Sequence, residues 1–382
     1  MRPDYAGGSL VNLVATVVAA RGGKPLHQPL EKFPSLSSDA AKATNVVLMI
    51  IDGLGDNYLQ RRGATSELGR RRRGSMTSVF PSTTASAITT SYTGATPLEH
   101  GLTGWFTYFG EAGCVSAALP FRSRGDMALL STRGVTPAQV YTSPSLFSSL
   151  STKSIVVSYR DIIDSHYNSI HCRGAERLAY EKADDFVDQV ERAVKSSSEK
   201  KFVYAYWPHY DQTSHRFGSQ SEQAAAEFAT IDAAFGELLQ RLAGTDTLVV
   251  ATADHGFVDA PPQECLELPA ELAPMLRFPL CGERRVVYCH VHSRKDFIGR
   301  ARECFDGKAD VMPSEQLVDE GWLGPGTPHP RLKERIGDVV IMMRERYTVK
   351  DWVPGEARWL HIGNHGGTHE DEMLIPLILE EA

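Results

Sequence analysis

Seven residues of the chain are of types that can bind metal ions or attack phosphorus, and they follow or lie near apolar runs. They are Asp52, Thr84, Asp211, His215, Asp254, His255 and His365. Carboxylate and imidazole ligands together suit zinc best, with manganese as the alternative divalent ion. Two such ions a few ångströms apart can bind the attacking and the leaving oxygen of a phosphoryl transfer. These residue types therefore predict a two-metal phosphoryl-transfer site in which Thr84 supplies a hydroxyl group.

The spacing of Asp211 and His215 is compatible with two different structures. The two residues follow each other at i and i+4, so on a helical turn they would share one face and could chelate a single ion. The alternative is a polar surface segment in which Asp211 caps the start of a helix.

The remaining candidates are also ambiguous when each is taken alone. An adjacent acid and histidine, such as Asp254 and His255, is a common pair, and glycines around His365 indicate a tight backbone without requiring a ligand. Thr84 could equally cap a helix beside Thr83. The prediction of a metal site depends on their joint occurrence, in this order and beside these apolar runs.

The elements that must position these residues can be predicted from the hydrophobic pattern. Continuous apolar runs predict buried strands at 45–51, 153–159, 202–207, 248–252 and 374–379. Apolar residues at helical spacing predict helices over 176–195 and 221–242, and a further helix is expected to begin near Thr83 or Thr84. Alternating strands and helices indicate an α/β fold with a mainly parallel central sheet flanked by helices. In such sheets, functional groups gather beyond the carboxyl ends of the strands.

The pattern changes after Gly256, where short apolar pieces replace the regular alternation. Strands are expected at 285–292 and 338–343 within this stretch. We therefore predict a smaller α+β subdomain over 259–357, inserted into a catalytic core formed by 1–258 and 358–382.

The composition excludes several classes of protein. The chain has 382 residues, a formal net charge of -7, 42% hydrophobic residues and 23% charged residues. This charge disfavours binding to a nucleic-acid polymer or an acidic membrane. Leu10–Ala20 is an apolar run interrupted by Asn12 and Thr16 and preceded by Asp4, which favours an amphipathic helix over a signal peptide. Six scattered cysteines fit reduced thiols, so a cytoplasmic location is expected.

Six short motifs resemble those of the alkaline phosphatase superfamily, and most closely its type I phosphodiesterase/nucleotide pyrophosphatase family. They run from position 50 to position 367 and so span most of the chain. They are Ile50-Ile51-Asp52-Gly53-Leu54, Phe80-Pro81-Ser82-Thr83-Thr84, His100-Gly101, Asp211-Gln212-Thr213-Ser214-His215, Thr252-Ala253-Asp254-His255-Gly256 and His365-Gly366-Gly367. The resemblance implies an alkaline phosphatase-like core and two bound divalent metal ions.

The resemblance also implies a role for each residue. A first ligand group would bind the metal beside the nucleophile, and a second ligand group would bind the other metal. The first group is Asp52, Thr84, Asp254 and His255, and the second is Asp211, His215 and His365. Thr84 would attack phosphorus and form a phosphothreonine, which water would hydrolyse. The expected activity is cleavage of a phosphodiester or pyrophosphate bond in a small-molecule phosphate ester or anhydride.

Two positions depart from the family pattern. Ala85 stands where many nucleotide pyrophosphatases have an aromatic residue that stacks on the base, and Trp105 stands where they have an asparagine. Trp105 is therefore expected to line the substrate pocket, and the substrate need not be a nucleotide. Phosphomonoester or phosphonate hydrolysis on the same site is the alternative activity, and a non-catalytic binding protein on this scaffold is a further hypothesis.

Overall fold

The computed structural model describes residues 1–382 and contains 16 α-helices, 18 strands and four short 3-10 helices. The α-helices are α1 (Leu10–Ala20), α2 (Ser35–Lys42), α3 (Asp56–Arg62), α4 (Glu67–Arg70), α5 (Thr84–Thr93), α6 (Pro97–His100), α7 (Pro137–Val140), α8 (Arg160–Ile163), α9 (His166–His171), α10 (Ala183–Lys195), α11 (His209–Phe217), α12 (Glu222–Leu242), α13 (Arg294–Cys304), α14 (Glu315–Asp319), α15 (Leu332–Ile336) and α16 (Glu370–Met373). The strands are β1 (Asn45–Ile51), β2 (Arg72–Thr77), β3 (Phe106–Phe109), β4 (Cys114–Ala117), β5 (Arg122–Ser123), β6 (Lys153–Tyr159), β7 (Ala175–Tyr180), β8 (Lys201–Trp207), β9 (Thr247–Thr252), β10 (Val258–Asp259), β11 (Cys265–Glu267), β12 (Cys281–Gly282), β13 (Val286–Cys289), β14 (Ala309–Pro313), β15 (Val339–Met343), β16 (Thr348–Lys350), β17 (Gly363–Asn364) and β18 (Leu374–Glu381). The 3-10 helices are Leu130–Arg133, Leu146–Ser149, Pro262–Glu264 and Ala273–Met275.

The central sheet has seven strands in the order β2-β18-β9-β1-β8-β6-β7. The five strands from β9 to β7 run parallel to one another, whereas β18 is antiparallel to both of its neighbours. Every residue of β1, β8 and β9 is buried, as expected for parallel strands that are covered on both faces. The predicted α/β fold with a mainly parallel central sheet is confirmed.

The long helix predicted over 221–242 is confirmed as α12. Its start is fixed by Ser221, whose side chain accepts a hydrogen bond from the amide of Ala224 at 3.1 Å. Its apolar face, which includes Phe228 and Ile231, is buried, and the helix packs against α10 and α11. It thereby supports α11, which carries two of the candidate ligands.

The helix predicted over 176–195 is wrong in its first part. Ala175–Tyr180 forms strand β7, which pairs in parallel with β6 at the edge of the central sheet, and the helix begins only at Ala183. The acidic residues Asp184 and Asp185 occupy its first turn, where the helix dipole favours negative charge. Pairing with β6 therefore overrides the local helical spacing of the preceding segment.

The N-terminal apolar run forms a helix, α1, but the expected amphipathic character is wrong. All residues from Leu10 to Val18 are buried, because α1 packs against both α2 and α5. Its polar side chains are satisfied internally: the Asn12 amide donates to the carbonyls of Tyr5 and Gln28 at 3.1 and 3.0 Å. A helix that is apolar on all sides is a core element. None of the helices combines the length and the apolar content that a membrane crossing requires.

A second seven-stranded sheet has the order β14-β15-β13-β12-β3-β4-β5. Four of its strands come from the segment 259–357, and the other three lie between residues 106 and 123. An apolar cluster covers each side of β13 and β15. The division into a core and a subdomain at 259–357 stays a prediction, and the second sheet draws strands from both parts.

Candidate active site

The structure brings all seven sequence-predicted residues to one edge of the central sheet. Asp52 directly follows β1, and Asp254 and His255 follow β9. The strands β9, β1 and β8 are neighbours and run parallel, so the segments after them meet at one edge. The helix that follows β8 is α11, and it carries Asp211 and His215.

The first ligand group surrounds the Nε2 atom of His255. This nitrogen lies 3.3 Å from Asp52 Oδ1, 3.5 Å from Asp254 Oδ2 and 3.1 Å from Thr84 Oγ1. The other ring nitrogen, Nδ1, lies 3.1 Å from the carbonyl of Gly256. Donation from Nδ1 to this carbonyl leaves the lone pair of Nε2 directed toward the carboxylates, which is the usual arrangement of a metal-binding histidine.

The second ligand group is built in the same way. His215 Nε2 lies 3.4 Å from Asp211 Oδ1 and 3.1 Å from His365 Nε2, while His215 Nδ1 lies 2.9 Å from the carbonyl of Gly363. The prediction that Asp211 and His215 share one face of a helical turn is confirmed. The alternative in which Asp211 caps the helix is wrong, because Pro208 occupies the cap position of α11.

The two groups are adjacent, and His255 lies between them. Ligand atoms of Asp52, Asp254 and His255 lie within 4.8 Å of one another, and so do those of Asp211, His255 and His365. The rings of His255 and His365 stack with their centroids 3.8 Å apart. The site therefore offers ligand atoms at two neighbouring points.

Hydrogen bonding within the site leaves ligand atoms unused. Asp211 Oδ1 and Asp254 Oδ2 are buried and accept no hydrogen bond from the protein. Burial raises the pKa of Asp254 to about 8 and the pKa of Asp211 to about 7. Burial also lowers the pKa of His215 to about 3, which keeps this imidazole in the neutral form that binds metals. Concentrated carboxylates are costly to bury without a cation, so the donor set fits two divalent ions.

Thr84 is the first residue of α5, and Thr83 occupies the cap position before it. The hydroxyl oxygen of Thr84 lies 3.4 Å from Asp52 Oδ1 as well as 3.1 Å from His255 Nε2. The alternative in which Thr84 caps the helix is wrong, because Thr83 occupies the cap position. At the start of a helix, the first amides have no acceptor within the helix and attract anions.

Thr84 lies in the wall of a cavity of about 790 Å³. The same wall contains Asp211, His215, His365 and Trp105. A cavity of this size accommodates a small molecule. The Trp105 side chain lies where the sequence predicts a pocket wall, and the residue is 38% exposed.

Three charged residues that the sequence analysis did not single out also reach the site. Glu283, Arg284 and Arg285 form the turn between β12 and β13, which we call the charged turn. Glu283 Oε1 accepts hydrogen bonds from Thr83 Oγ1 and from the amide of Trp105, both at 2.6 Å. Glu283 thus ties the second sheet to the residue before Thr84. A charged triplet between two apolar runs is the signal of a turn, although it does not reveal what the turn contacts.

Arg285 connects the charged turn to the segment that follows His365. Its guanidinium donates to both carboxylate oxygens of Glu372, at 3.0 and 2.9 Å. Glu372 also accepts hydrogen bonds from the amides of Gly367 and His369, at 2.9 and 3.2 Å. The ion pair of Arg285 and Glu372 therefore stabilises the backbone of the segment that follows His365.

Replacing Glu372 with glutamine is expected to lower the free energy of unfolding by about 3–5 kcal/mol. The side chains of Arg285 and Glu372 are 1% and 0% exposed, so the substitution leaves a buried guanidinium without its counter-charge. Denaturant unfolding measures the loss. The matched control is Glu181→Gln in the surface pair of Arg160 and Glu181, whose side chains are 54% and 53% exposed. There the expected change is less than about 1 kcal/mol, and an equally small change for Glu372→Gln would contradict the positioning role.

Comparison with known structures finds proteins with a similar fold. Human ectonucleotide pyrophosphatase/phosphodiesterase 5 is 16% identical with a TM-score of 0.66, over 88% of this chain and 87% of that chain. An inactive form of the murine protein in complex with AMP is 16% identical with a TM-score of 0.64, over 87% of each chain. Phosphonoacetate hydrolase from Sinorhizobium meliloti 1021, in complex with phosphonoformate, is 15% identical with a TM-score of 0.64, over 87% of this chain and 89% of that chain. At these identities the likeness concerns the fold.

Sequence comparison identifies the family. No curated protein is similar enough in sequence to count as a relative. The sequence model of the type I phosphodiesterase/nucleotide pyrophosphatase family, however, matches residues 46–368. This range includes both ligand groups and the charged turn. The chain therefore belongs to the type I phosphodiesterase/nucleotide pyrophosphatase family of hydrolases.

Proposed function

We propose that the protein is a two-metal hydrolase that cleaves phosphodiester or pyrophosphate bonds through a phosphothreonine at Thr84. The observation that carries this proposal is the position of the Thr84 hydroxyl. It lies at the start of α5, in the wall of the cavity, and 3.1 Å from the ring of His255. A hydroxyl in this position can meet a phosphoryl group while the amides of the helix start face its oxygens.

We assign the first ligand group to one metal and the second ligand group to the other. The mixture of carboxylate and imidazole ligands favours zinc, and manganese is the alternative. When bound, the two ions would lower the pKa of the threonine hydroxyl and of a water molecule and would neutralise charge that develops on the phosphoryl oxygens. The hydroxyl group of Tyr206 donates a hydrogen bond to Asp52 Oδ2, and this contact orients that carboxylate.

The reaction proceeds in two displacements. The Thr84 hydroxyl loses its proton as its oxygen attacks phosphorus, a new oxygen–phosphorus bond forms, and the bond to the leaving group breaks, so that an alcohol or a phosphate departs. Water then attacks phosphorus, the bond between phosphorus and the Thr84 oxygen breaks, and the phosphate product is released while Thr84 regains a proton. An alcohol is a weak nucleophile at neutral pH unless its pKa is lowered, which is why Thr84 must lie beside the ligands of the first group.

The substrate is proposed to be a small-molecule phosphate ester or anhydride. Ala85 is fully buried in α5 and offers no surface on which a base could stack. Trp105, Phe106 and Trp359 are aromatic residues of the cavity wall, and Glu283 links the amide of Trp105 to Thr83, the residue before Thr84. We therefore assign contact with the organic part of the substrate to Trp105.

Phosphonate or phosphomonoester hydrolysis is the second candidate activity. The fold of phosphonoacetate hydrolase supports it, and so does the presence of the cation Arg284 in the cavity wall. A non-catalytic role is disfavoured because the two ligand groups are adjacent and because Thr84 and the second ligand group line one cavity.

A substrate panel tests the proposal and separates these activities. Zinc-loaded protein would be assayed with bis-(4-nitrophenyl) phosphate, 4-nitrophenyl phosphate, a dinucleotide and phosphonoacetate. We expect faster turnover of a diester or anhydride than of the monoester. Equal rates on monoester and diester would contradict the diesterase assignment, and fast turnover of phosphonoacetate alone would favour the second candidate. A protein that binds no divalent ion after zinc loading would contradict the two-metal hydrolase and would favour the non-catalytic hypothesis.

A further inference from the structure

We propose that Arg284 determines specificity by binding a second anionic group of the substrate, apart from the phosphoryl group that reacts at Thr84. This inference rests on the proposed function, because it concerns the same cavity. The second group would be a carboxylate or a further phosphate or phosphonate. Both present oxygens in the geometry that a guanidinium binds with two parallel hydrogen bonds.

Arg284 is placed to meet such a group. It is the middle residue of the charged turn, and it lines the cavity together with His215 and His361. Burial lowers the pKa of Arg284 to about 10, so the guanidinium remains charged at neutral pH. The cavity therefore contains a fixed positive charge beside the second ligand group.

Arg284 forms no ion pair within 4.0 Å, although the nearby carboxylates of Glu283 and Glu356 raise its pKa against the effect of burial. The one side-chain hydrogen bond of Arg284 runs from Nη2 to the carbonyl of Trp359, at 3.3 Å. The carboxylate of the preceding residue, Glu283, is engaged with Thr83 and with the amide of Trp105. A half-buried guanidinium bonded to a single carbonyl retains donors that an anion can use.

The other two cations of the cavity wall, Arg124 and Lys350, both form ion pairs with carboxylates of the protein. Arg124 lies 2.7 Å from Glu356 and 2.8 Å from Asp351, and its side chain is 2% exposed. Lys350 lies 3.5 Å from Glu356. Two carboxylates thus neutralise two cations, and Arg284 is the cation of the wall that remains available to a ligand.

The electrostatic balance of the cavity favours an anionic ligand. The three aspartates of the two ligand groups carry three negative charges and two divalent ions would add four positive charges, so the loaded site would have one net positive charge while Thr84 keeps its proton. An anionic phosphoryl group at Thr84 would neutralise this charge and would leave Arg284 without an ion-pair partner. A second anion would pair with Arg284. Providing a partner for this partly buried charge adds to the affinity of the ligand.

The test compares ligands that differ in one anionic group. If the second anionic group is a carboxylate, the informative pair is phosphonoacetate and its carboxyl methyl ester. If it is a phosphate or phosphonate, the informative pair is methylenediphosphonate and methylphosphonate. Affinities for zinc-loaded full-length protein would be measured by calorimetry in the wild type, Arg284→Gln and Arg284→Lys, with thermal unfolding to verify that each variant is folded.

We expect the wild type to prefer the anionic member of at least one pair. This preference should fall about tenfold in Arg284→Gln, the usual effect of losing a charge-assisted hydrogen bond. Arg284→Lys should show an intermediate loss, since lysine keeps the charge without the bidentate geometry. The pair whose preference collapses identifies the second group as carboxylate or phosphate.

Arg358→Gln is the matched control, because it removes a nearby charge that does not line the cavity. The Arg358 side chain is 71% exposed and lies 3.9 Å from Glu267, and its replacement should leave both preferences unchanged. The inference is overturned if the wild type shows no preference in either pair, or if Arg284→Gln retains it. A preserved preference without turnover of any ester would contradict the proposed function alone.

Discussion

Replacing Thr84 with alanine is expected to reduce turnover of an aryl phosphodiester by roughly 10³-fold or more. The variant lacks the oxygen that attacks phosphorus, so no phosphothreonine can form. The metal content should stay close to that of the wild type, because six carboxylate and imidazole ligands remain. The measurements are steady-state kinetics of zinc-loaded protein and elemental analysis of the same sample.

Two further variants control this experiment. Thr84→Ser keeps a hydroxyl at the start of α5 and should retain measurable turnover. Thr83→Ala removes the neighbouring hydroxyl, which bonds to Glu283 at 2.6 Å, and should lower the rate far less than Thr84→Ala. Turnover at the wild-type rate in Thr84→Ala would show that the nucleophile is another group.

Replacing His365 with asparagine is expected to remove one of the two bound metal ions and most of the activity. The Nε2 atom of His365 lies 3.1 Å from that of His215 and 3.7 Å from Asp211 Oδ1. Without this imidazole, the second ligand group keeps only two members. Loss of one ligand of this kind weakens metal binding substantially, and the two-step reaction requires both ions.

His369→Asn is the matched control, because it changes the same residue type four positions later in the same segment. The Nδ1 atom of His369 accepts a hydrogen bond from the amide of Asp371 at 3.1 Å and caps α16. Asparagine is also a good helix cap, so metal content and turnover should be retained. If the two variants lose metal equally, His365 acts through the fold of its segment and is not a ligand.

The sequence predicted that the seven residues would meet at one edge of the sheet, because Asp52, Asp254 and His255 follow buried strands. Asp52 follows a strand whose residues are all apolar apart from Asn45, and such runs are recognised without tertiary information. Once β1 and β9 are neighbours in a parallel sheet, the residues after them must approach each other. The order of the strands in the sheet therefore determines which candidate ligands lie close together.

Other parts of the fold depend on contacts between distant residues. The segment Ala175–Tyr180 has apolar positions compatible with a helix, and only pairing with β6 makes it a strand. The polar residues Asn12 and Thr16 made α1 look amphipathic, yet both bond within the core. Local pattern alone cannot distinguish these outcomes.

The charged turn shows the same limit within the site. Glu283, Arg284 and Arg285 are three adjacent charged residues, and the strand expected at 285–292 included the last of them, whereas β13 begins only at Val286. In the fold, each has a different partner or surface: Thr83 for Glu283, the cavity for Arg284 and Glu372 for Arg285. These contacts span about 90 to 200 positions in the chain, and their function follows only from the packing of the second sheet against the first.

Anomalous diffraction at the zinc edge, from crystals of the zinc-loaded protein, tests the two-metal account most directly. We predict two peaks about 3.5–4 Å apart. One should be bound by the first ligand group, including the Thr84 oxygen, and the other by the second ligand group, at ligand distances of about 2.0–2.2 Å. A single peak, or peaks away from Asp52, Asp211 and Asp254, would contradict the account.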